Sequence, residues 1–128
     1  MYQSLELFQT AGAMARHAGE RQAVVTRNIA NADTPGYRAQ QLASFGDVYS
    51  ANPATKLQQR RPGHMAPDPF QHLPPRHVAS AGEPSPNGNN VSLEDEMLSS
   101  VAVAREHSRA LAVYRHGMTV LRTALGRG

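Results

Sequence analysis

The sequence lacks cysteine and tryptophan, and it has only three phenylalanines and four tyrosines among 128 residues. Without cysteine, neither a disulfide framework nor a thiolate metal site can stabilise the fold. No apolar run approaches the roughly 20 residues that a membrane-spanning helix needs. Alanine supplies much of the apolar content, which suits narrow contacts between helices better than a thick core.

The charge is also low, with a formal net charge of +3 at pH 7. No segment forms the dense basic stripe that grips nucleic-acid phosphates, so we expect no nucleic-acid partner. A basic nucleic-acid-binding protein remains a rival interpretation, which an affinity falling steeply with salt would reveal. Residues 1–6 have neither a basic nor an apolar segment of a cleavable secretory signal, which alone indicates a cytoplasmic protein but leaves a dedicated export route open.

Residues 1–37 predict a long helix, from about residue 3 to residue 32, followed by a turn. Apolar residues recur there at offsets of three, four or seven, which is typical of a packed helix and not of a strand. The stripe consists of Leu7, Ala11, Met14, Ala18, Val25 and Ala32.

Residues 38–90 contain eight of the nine prolines. Because proline lacks a backbone donor and fixes φ, we predict an irregular middle region without long elements. Short β-strands fit around Val48–Tyr49 or His77–Val78. The stretch Ser80–Asn90, rich in Gly, Pro, Ser and Asn, is predicted to be a flexible linker.

Residues 91–128 predict the clearest helix, from about residue 93 to residue 125. Ser92 is a natural N-cap with Asp95 three residues later, and Gly126 fits the position just after the helix end. Its predicted apolar seam advances in steps of mostly three and four residues. The seam consists of Leu93, Met97, Val101, Ala104, Leu111, Tyr114, Met118, Leu121 and Leu125.

These patterns predict a mainly α fold in which the two terminal helices pack as an antiparallel, coiled-coil-like pair, joined by the irregular proline-rich middle. One pair of helices buries little surface, so the remaining apolar area should be covered by partner chains. The fold therefore points towards assembly.

The segment between the first helix and the middle region is the most informative one. Pro35 pushes Thr34 out of the helical conformation, so the helix must end just before it. Pro35 and Gly36 fit the two central positions of a type II turn, because glycine tolerates the positive φ of the second. The turn would then fix the direction of Tyr37. Asn28 and Asn31, on the last helical turns, are amides able to set the register between helices.

Two stretches resemble the flagellar rod and hook axial protein family. The first, Ala30-Asn31-Ala32-Asp33-Thr34-Pro35-Gly36-Tyr37, resembles the Ala-Asn-x-x-Thr-x-Gly-Tyr signature of that family. The second, Gly88-Asn89-Asn90-Val91-Ser92-Leu93-Glu94-Asp95-Glu96-Met97, resembles the box that precedes the final helix in its proximal rod members. Ser92 stands where an Asp is more usual, and as an N-cap the two are equivalent. The resemblance covers about half of the chain, with matched order and spacing.

The resemblance implies a structural role. Such proteins leave the cell through the flagellar type III export apparatus without a cleaved signal, and they polymerise through their terminal helices into the rod, a drive shaft across the periplasm. The implied partners are other rod subunits, copies of the same chain, the junction protein beside the membrane-embedded MS ring, and the export apparatus. No cofactor and no small-molecule ligand is implied.

We assign the assembly interface to the turn and to the second half of the C-terminal seam. Its candidate residues are Asn28, Asn31, Thr34, Pro35, Gly36, Tyr37, Leu111, Tyr114, Met118, Leu121 and Leu125. The main alternative is a helical adaptor or export-chaperone-like protein that binds a partner groove through one amphipathic helix. An adaptor should form a small closed complex, whereas a rod subunit should add to an open assembly.

Catalytic and metal sites find no support in the residue patterns. The six histidines match no zinc spacing. No nucleophile elbow or phosphate-binding glycine loop is present. The acidic residues Glu94, Asp95 and Glu96 are sufficiently explained as the start of a helix. We therefore predict a protein that is not an enzyme.

Overall fold

The computed structural model of the protein describes residues 2–51, 77–80 and 82–126. Within these ranges the elements follow one another as two long helices flanking short ones. In chain order they are α1 (Tyr2–Ala30), β1 (Gln40–Leu42), α2 (Phe45–Ala51), β2 (His77–Ala79) and α3 (Leu93–Ala124).

Helices α1 and α3 pack side by side and run in opposite directions. The end of α1 lies at the start of α3, where Asn28 contacts Glu96, and the start of α1 lies near the end of α3, where Phe8 contacts Gly117. The predicted mainly α fold with two long terminal helices packed together is confirmed.

The core between these helices is thin. Its apolar members are mostly alanine and valine, and Val103 and Asn28 are the largest side chains that are fully buried among the described residues. Small side chains allow the two helix backbones to approach closely, but they bury little apolar surface. The alanine-rich composition therefore produces a narrow contact and not a thick interior.

The ends of α3 are fixed as the sequence predicts. Ser92 has an extended backbone conformation, and its hydroxyl accepts a hydrogen bond from the Asp95 N–H at 3.4 Å. At the other end Gly126 has φ of +69°, and its N–H donates to the Thr123 carbonyl at 3.1 Å. Helix α1 ends at Ala30, two residues before the predicted end, and the chain continues as a hydrogen-bonded turn.

A small antiparallel sheet packs against α1 through β1. β1 pairs with β2 so that Gln41 lies opposite Val78, which confirms the strand predicted at His77–Val78. The strand predicted at Val48–Tyr49 is wrong, because these residues lie in α2. The hydroxyl of Ser44 accepts the Asp47 N–H at 3.2 Å and donates to the Asp47 carboxylate at 2.7 Å, so a local N-cap starts a helix there.

The predicted flexible linker Ser80–Asn90 needs a correction. Its described residues hold defined hydrogen bonds: Gly88 N–H donates to the Ser85 carbonyl at 2.8 Å, and Ser85 N–H donates to the Asn89 carbonyl at 2.7 Å. The asparagines that suggested a loop instead supply the partners that order it. Residues 52–76, which complete the predicted irregular middle, lie outside the described residues.

Candidate assembly interface

The turn after α1 has the predicted geometry. Gly36 has φ of +72°, and Tyr37 N–H donates to the Thr34 carbonyl at 3.2 Å, which closes a type II turn over Pro35 and Gly36. A Cβ atom at Gly36 would meet no other atom within 4 Å. The glycine is therefore required by its backbone conformation and not by lack of space.

Asn28 joins three elements. Its side chain is fully buried, and its Nδ2 donates to the Gln40 carbonyl at 2.7 Å and to Glu96 Oε1 at 2.8 Å. Its Oδ1 accepts the Tyr37 hydroxyl and the Gln40 N–H, both at 3.2 Å. Every hydrogen-bonding capacity of the amide is used, so Asn28 fixes the register of α1 against β1 and α3.

Asn89, which is distant in sequence, caps the turn at the end of α1. Its Nδ2 lies 3.0, 2.7 and 2.9 Å from the carbonyl oxygens of Asn31, Ala32 and Thr34. Its Oδ1 accepts the Val91 N–H at 2.7 Å. Carbonyls at a helix end have no partner within the helix, and here one buried amide satisfies those of the turn that follows α1.

Two further contacts complete the meeting of the two sequence boxes. Asn90 Oδ1 accepts the Ala39 N–H at 2.6 Å, and a Cβ atom at Gly88, whose φ is +82°, would lie 3.4 Å from Gly36 Cα. The box around residues 28–37 and the box around residues 88–96 thus fold onto one another. We call this set the polar junction: Asn28, Gly36, Tyr37, Gly88, Asn89, Asn90 and Glu96.

Glu96 is the charged member of the polar junction. Burial raises the pKa of its carboxyl, while the hydrogen bond from Asn28 opposes that rise. Sequence reasoning explained Glu96 only as a helix-start residue and did not single out Asn89 or Asn90. A signal was present for two of them, because Asn89 and Glu96 stand at matched positions of the second box, whereas Asn90 does not.

The remaining turn residues lie at the surface. Asn31 is half-buried, and its Nδ2 donates to the Arg27 carbonyl at 2.8 Å. Thr34, Pro35 and Gly36 are exposed. The turn therefore presents an exposed loop to its surroundings, while Asn28 beneath it is engaged within the chain.

The face of α3 that packs on α1 differs from the predicted apolar seam. Its buried residues are Glu96, Val103, Ala110 and Gly117, each seven positions after the last. Gly117 leaves room for an aromatic ring, since a Cβ atom there would lie 3.0 Å from the ring of Phe8. The intrachain contact is thus formed by small and polar residues.

The predicted seam residues are only partly covered. Leu111, Met118 and Leu121 are half-buried, whereas Tyr114 is 43% exposed and contacts Phe8 edge to face at 5.1 Å between ring centroids. Leu125 is 78% exposed. These side chains remain available to a neighbouring chain, and their role in assembly stays a prediction.

Large apolar side chains are exposed along the whole of α3. They are Leu93, Met97, Leu98, Val101, Val113, Tyr114, Val120 and Leu125. A helix with apolar residues around much of its circumference is typical of a helix covered on several sides. Among the described elements α1 packs on one side of α3, and these large apolar side chains are exposed on the others.

Near the middle of the helix pair lie an ion pair and a buried histidine. Arg21 contacts Glu106 at 2.6 Å, and both side chains are partly exposed. His17 is buried, and its ring lies 5.7 Å from that of Phe45. Burial, assisted by the Arg21 charge, lowers the pKa of His17.

Within the ranges that the structure describes, no group of three or more His, Cys, Asp and Glu side chains is arranged to hold a metal ion. In that same part of the chain no helix is long and apolar enough to cross a membrane. The contacts described above hold elements together, and their chemistry is that of packing and hydrogen bonding.

Comparison with known proteins agrees with this geometry. A family model described as "Flagella basal body rod protein" matches residues 10–38, which span most of α1 and the turn that follows it. Residues 10–38 are therefore similar to the flagellar basal body rod family. Across more of its length the chain is similar to the flagellar basal body rod protein FlgB of Agrobacterium fabrum strain C58. The two are 28% identical over 113 residues, which cover 82% of this chain and 81% of the relative.

Proposed function

We propose that this protein is a structural subunit of the proximal rod of the flagellar basal body and polymerises through its terminal helices. The observation that carries the proposal is the apolar surface of α3, which is exposed in the part of the chain that the structure describes. Covering that surface on neighbouring subunits would stabilise an assembly at about 25 cal/mol per Å² of apolar area removed from water. The similarity to a rod protein supports the proximal rod as the place of assembly.

The polar junction prepares each subunit for this role. Its buried amides fix the register of α1 against α3. The exposed side chains of α3 therefore hold a defined position relative to α1. Contacts between unlike surfaces on successive subunits generate an open helical array when the rotation does not close. Many such contacts acting together would transmit torque along the rod across the periplasm.

The same proposal includes the route and the partners. The chain would leave the cell through the flagellar type III export apparatus without a cleaved signal, and it would contact other rod subunits, its own copies and the junction protein of the MS ring. The exposed turn at Thr34, Pro35 and Gly36 and the exposed side chains of α3 are the surfaces that we assign to these contacts.

The test is complementation of motility in a strain that lacks its proximal rod subunit, with export of the protein followed in parallel. We expect the wild-type chain to restore rods and swimming. A variant with Val103→Asp, which puts a charge at a position that is 1% exposed, serves as the unfolded control. A chain that is stable and exported but builds no rod in a matched background would contradict the proposal.

The alternative is a helical adaptor or export-chaperone-like protein, because an exposed apolar helix face also fits a partner groove. Stoichiometry separates the two functions. An adaptor would form a closed complex of fixed size with one partner, whereas a rod subunit would be recovered in the basal body in an open series.

A further inference from the structure

The two ends of α3 carry opposite charge. The first turn contains Glu94 and Asp95, both exposed, while the second half of the helix contains the exposed Arg115 and Arg122. In the part of the chain that the structure describes, none of these four side chains takes part in an ion pair. At 1.5 Å per residue, Glu94 and Arg122 are about 40 Å apart on the same helix. They cannot pair within one chain.

Exposed apolar side chains accompany the charges at both ends. Beside the acidic residues, Met97 is 57% and Leu98 is 71% exposed, and beside Arg122 the side chain of Leu125 is 78% exposed.

We define the acidic patch as Glu94, Asp95, Met97 and Leu98, and the basic patch as Arg115, Arg122 and Leu125. We propose that the acidic patch of one copy of this chain docks on the basic patch of a second copy, head to tail. This inference rests on the proposed rod function and deepens it by naming the surfaces and the partner.

The charge pattern identifies a second copy as the occupant. A nucleic acid or an anionic membrane would match only the basic patch and would leave the acidic patch unexplained. A second copy matches both patches at once. Head-to-tail docking also brings the negative end of one helix dipole near the positive end of the next. Because the two patches are unlike, each docked copy offers a free patch to another copy.

The experiment measures self-association of the full chain by sedimentation velocity over a series of concentrations. We compare the wild type with an acidic-patch variant, Glu94→Arg with Asp95→Arg, and a basic-patch variant, Arg115→Glu with Arg122→Glu. Each variant alone juxtaposes like charges, so we expect association to need about a tenfold higher concentration. Glu83→Arg, a change of the same kind at an exposed residue outside α3, should leave association unchanged.

Mixing the two variants in equal amounts provides the decisive reading. In the mixture each reversed patch meets a patch of opposite charge, so association should return to near the wild-type level. Loss of folding cannot produce this rescue, and circular dichroism of each variant checks folding independently. Wild-type association should also weaken as salt rises, because exposed charges are screened over about 8 Å at physiological ionic strength.

Three results would overturn the proposal: no self-association of the wild type, a closed dimer that does not grow with concentration, or no rescue in the mixture. Complementation keeps this outcome separate from the rod function. If both charge variants restore swimming while self-association is absent, the rod role stands and the head-to-tail contact is wrong. If the wild type self-associates with rescue but restores no rod, the contact stands and the rod role is wrong.

Discussion

At the scale of single residues, the polar junction depends on Asn28, whose side-chain amide has no spare hydrogen-bonding group. Asn28 meets the backbone of Gln40, the carboxylate of Glu96 and the hydroxyl of Tyr37 inside the protein. Removing such a side chain strands its partners away from water, and a stranded polar group costs more than the net gain of the bond that is lost.

We therefore expect Asn28→Ala to lower the free energy of unfolding by on the order of 2–4 kcal/mol, since the buried Glu96 and partly buried groups of Gln40 and Tyr37 lose their hydrogen bonds. Urea denaturation followed by circular dichroism measures the change. Asn31→Ala is the matched control, because Asn31 is only half-buried and its amide bonds the carbonyl of Arg27 in its own helical turn. An equal loss for both variants would contradict the special role of Asn28.

Gly36 provides the second prediction at this scale. Its positive φ is unfavourable for a β-branched residue, so Gly36→Val should destabilise the protein by about 1–2 kcal/mol and impair assembly. Thermal unfolding and motility complementation report the two effects. Gly19→Val is the control, because Gly19 lies inside α1 with no atom within 4 Å of an added Cβ. A Gly36→Val protein that forms rods normally would refute the importance of the turn.

At the scale of elements, helix α3 shows both the reach of sequence reasoning and the point where it fails. Its start at Ser92 and its end before Gly126 follow from local capping chemistry, which the sequence states directly. The face of α3 that packs on α1 cannot be found in this way, because most of its buried side chains, such as Val103, Ala110 and Gly117, are small. Large apolar residues mark the faces left for other chains, and a search for large residues finds those first.

The same distinction yields a prediction for assembly. Leu98→Asp changes a side chain that is 71% exposed, so the fold should keep its stability while incorporation into the rod is lost. Leu121→Asp should likewise allow expression and block incorporation, with some loss of stability because Leu121 is half-buried. Recovery of each variant in purified basal bodies, together with its melting temperature, checks both effects. Efficient incorporation of either variant would remove that residue from the interface.

Short elements were the harder part of the prediction. The strand at His77–Val78 follows from its composition, but Val48–Tyr49 suits a strand equally well and is helical because Ser44 and Asp47 cap it. The order in residues 84–90 is a tertiary effect. Asn89 and Asn90 obtain their partners from residues more than fifty positions earlier, which no local pattern reveals.

At the scale of the whole molecule, the buried His17 should make stability depend on pH. Its pKa is lowered in the folded protein, so folding favours the neutral ring. Stability should therefore fall as the pH drops below about 6.5, the ordinary value of histidine, and continue to fall towards the lower folded value.

His17→Leu should flatten this pH dependence, because it removes the titrating group and leaves an apolar side chain in an apolar position. Unfolding by urea at a series of pH values from about 7.5 to about 5, the range in which histidine changes its charge, measures the effect. His107→Leu, at an exposed position of α3, should retain the wild-type slope. Parallel curves for wild type and His17→Leu would show that His17 does not control the acid sensitivity.

The polar junction also determines how late in folding its own hydrogen bonds can form. Asn89 holds the carbonyls beyond α1 from 55 to 58 residues away, and Glu96 meets Asn28 from 68 residues away. A large loop must therefore close before these bonds form, and loops of this separation slow folding more than they weaken the final state. A chain that ended at residue 80 would lack both Asn89 and Glu96, the partners that α1 and its turn find in the second box. The polar junction therefore cannot form until the last part of the chain is present.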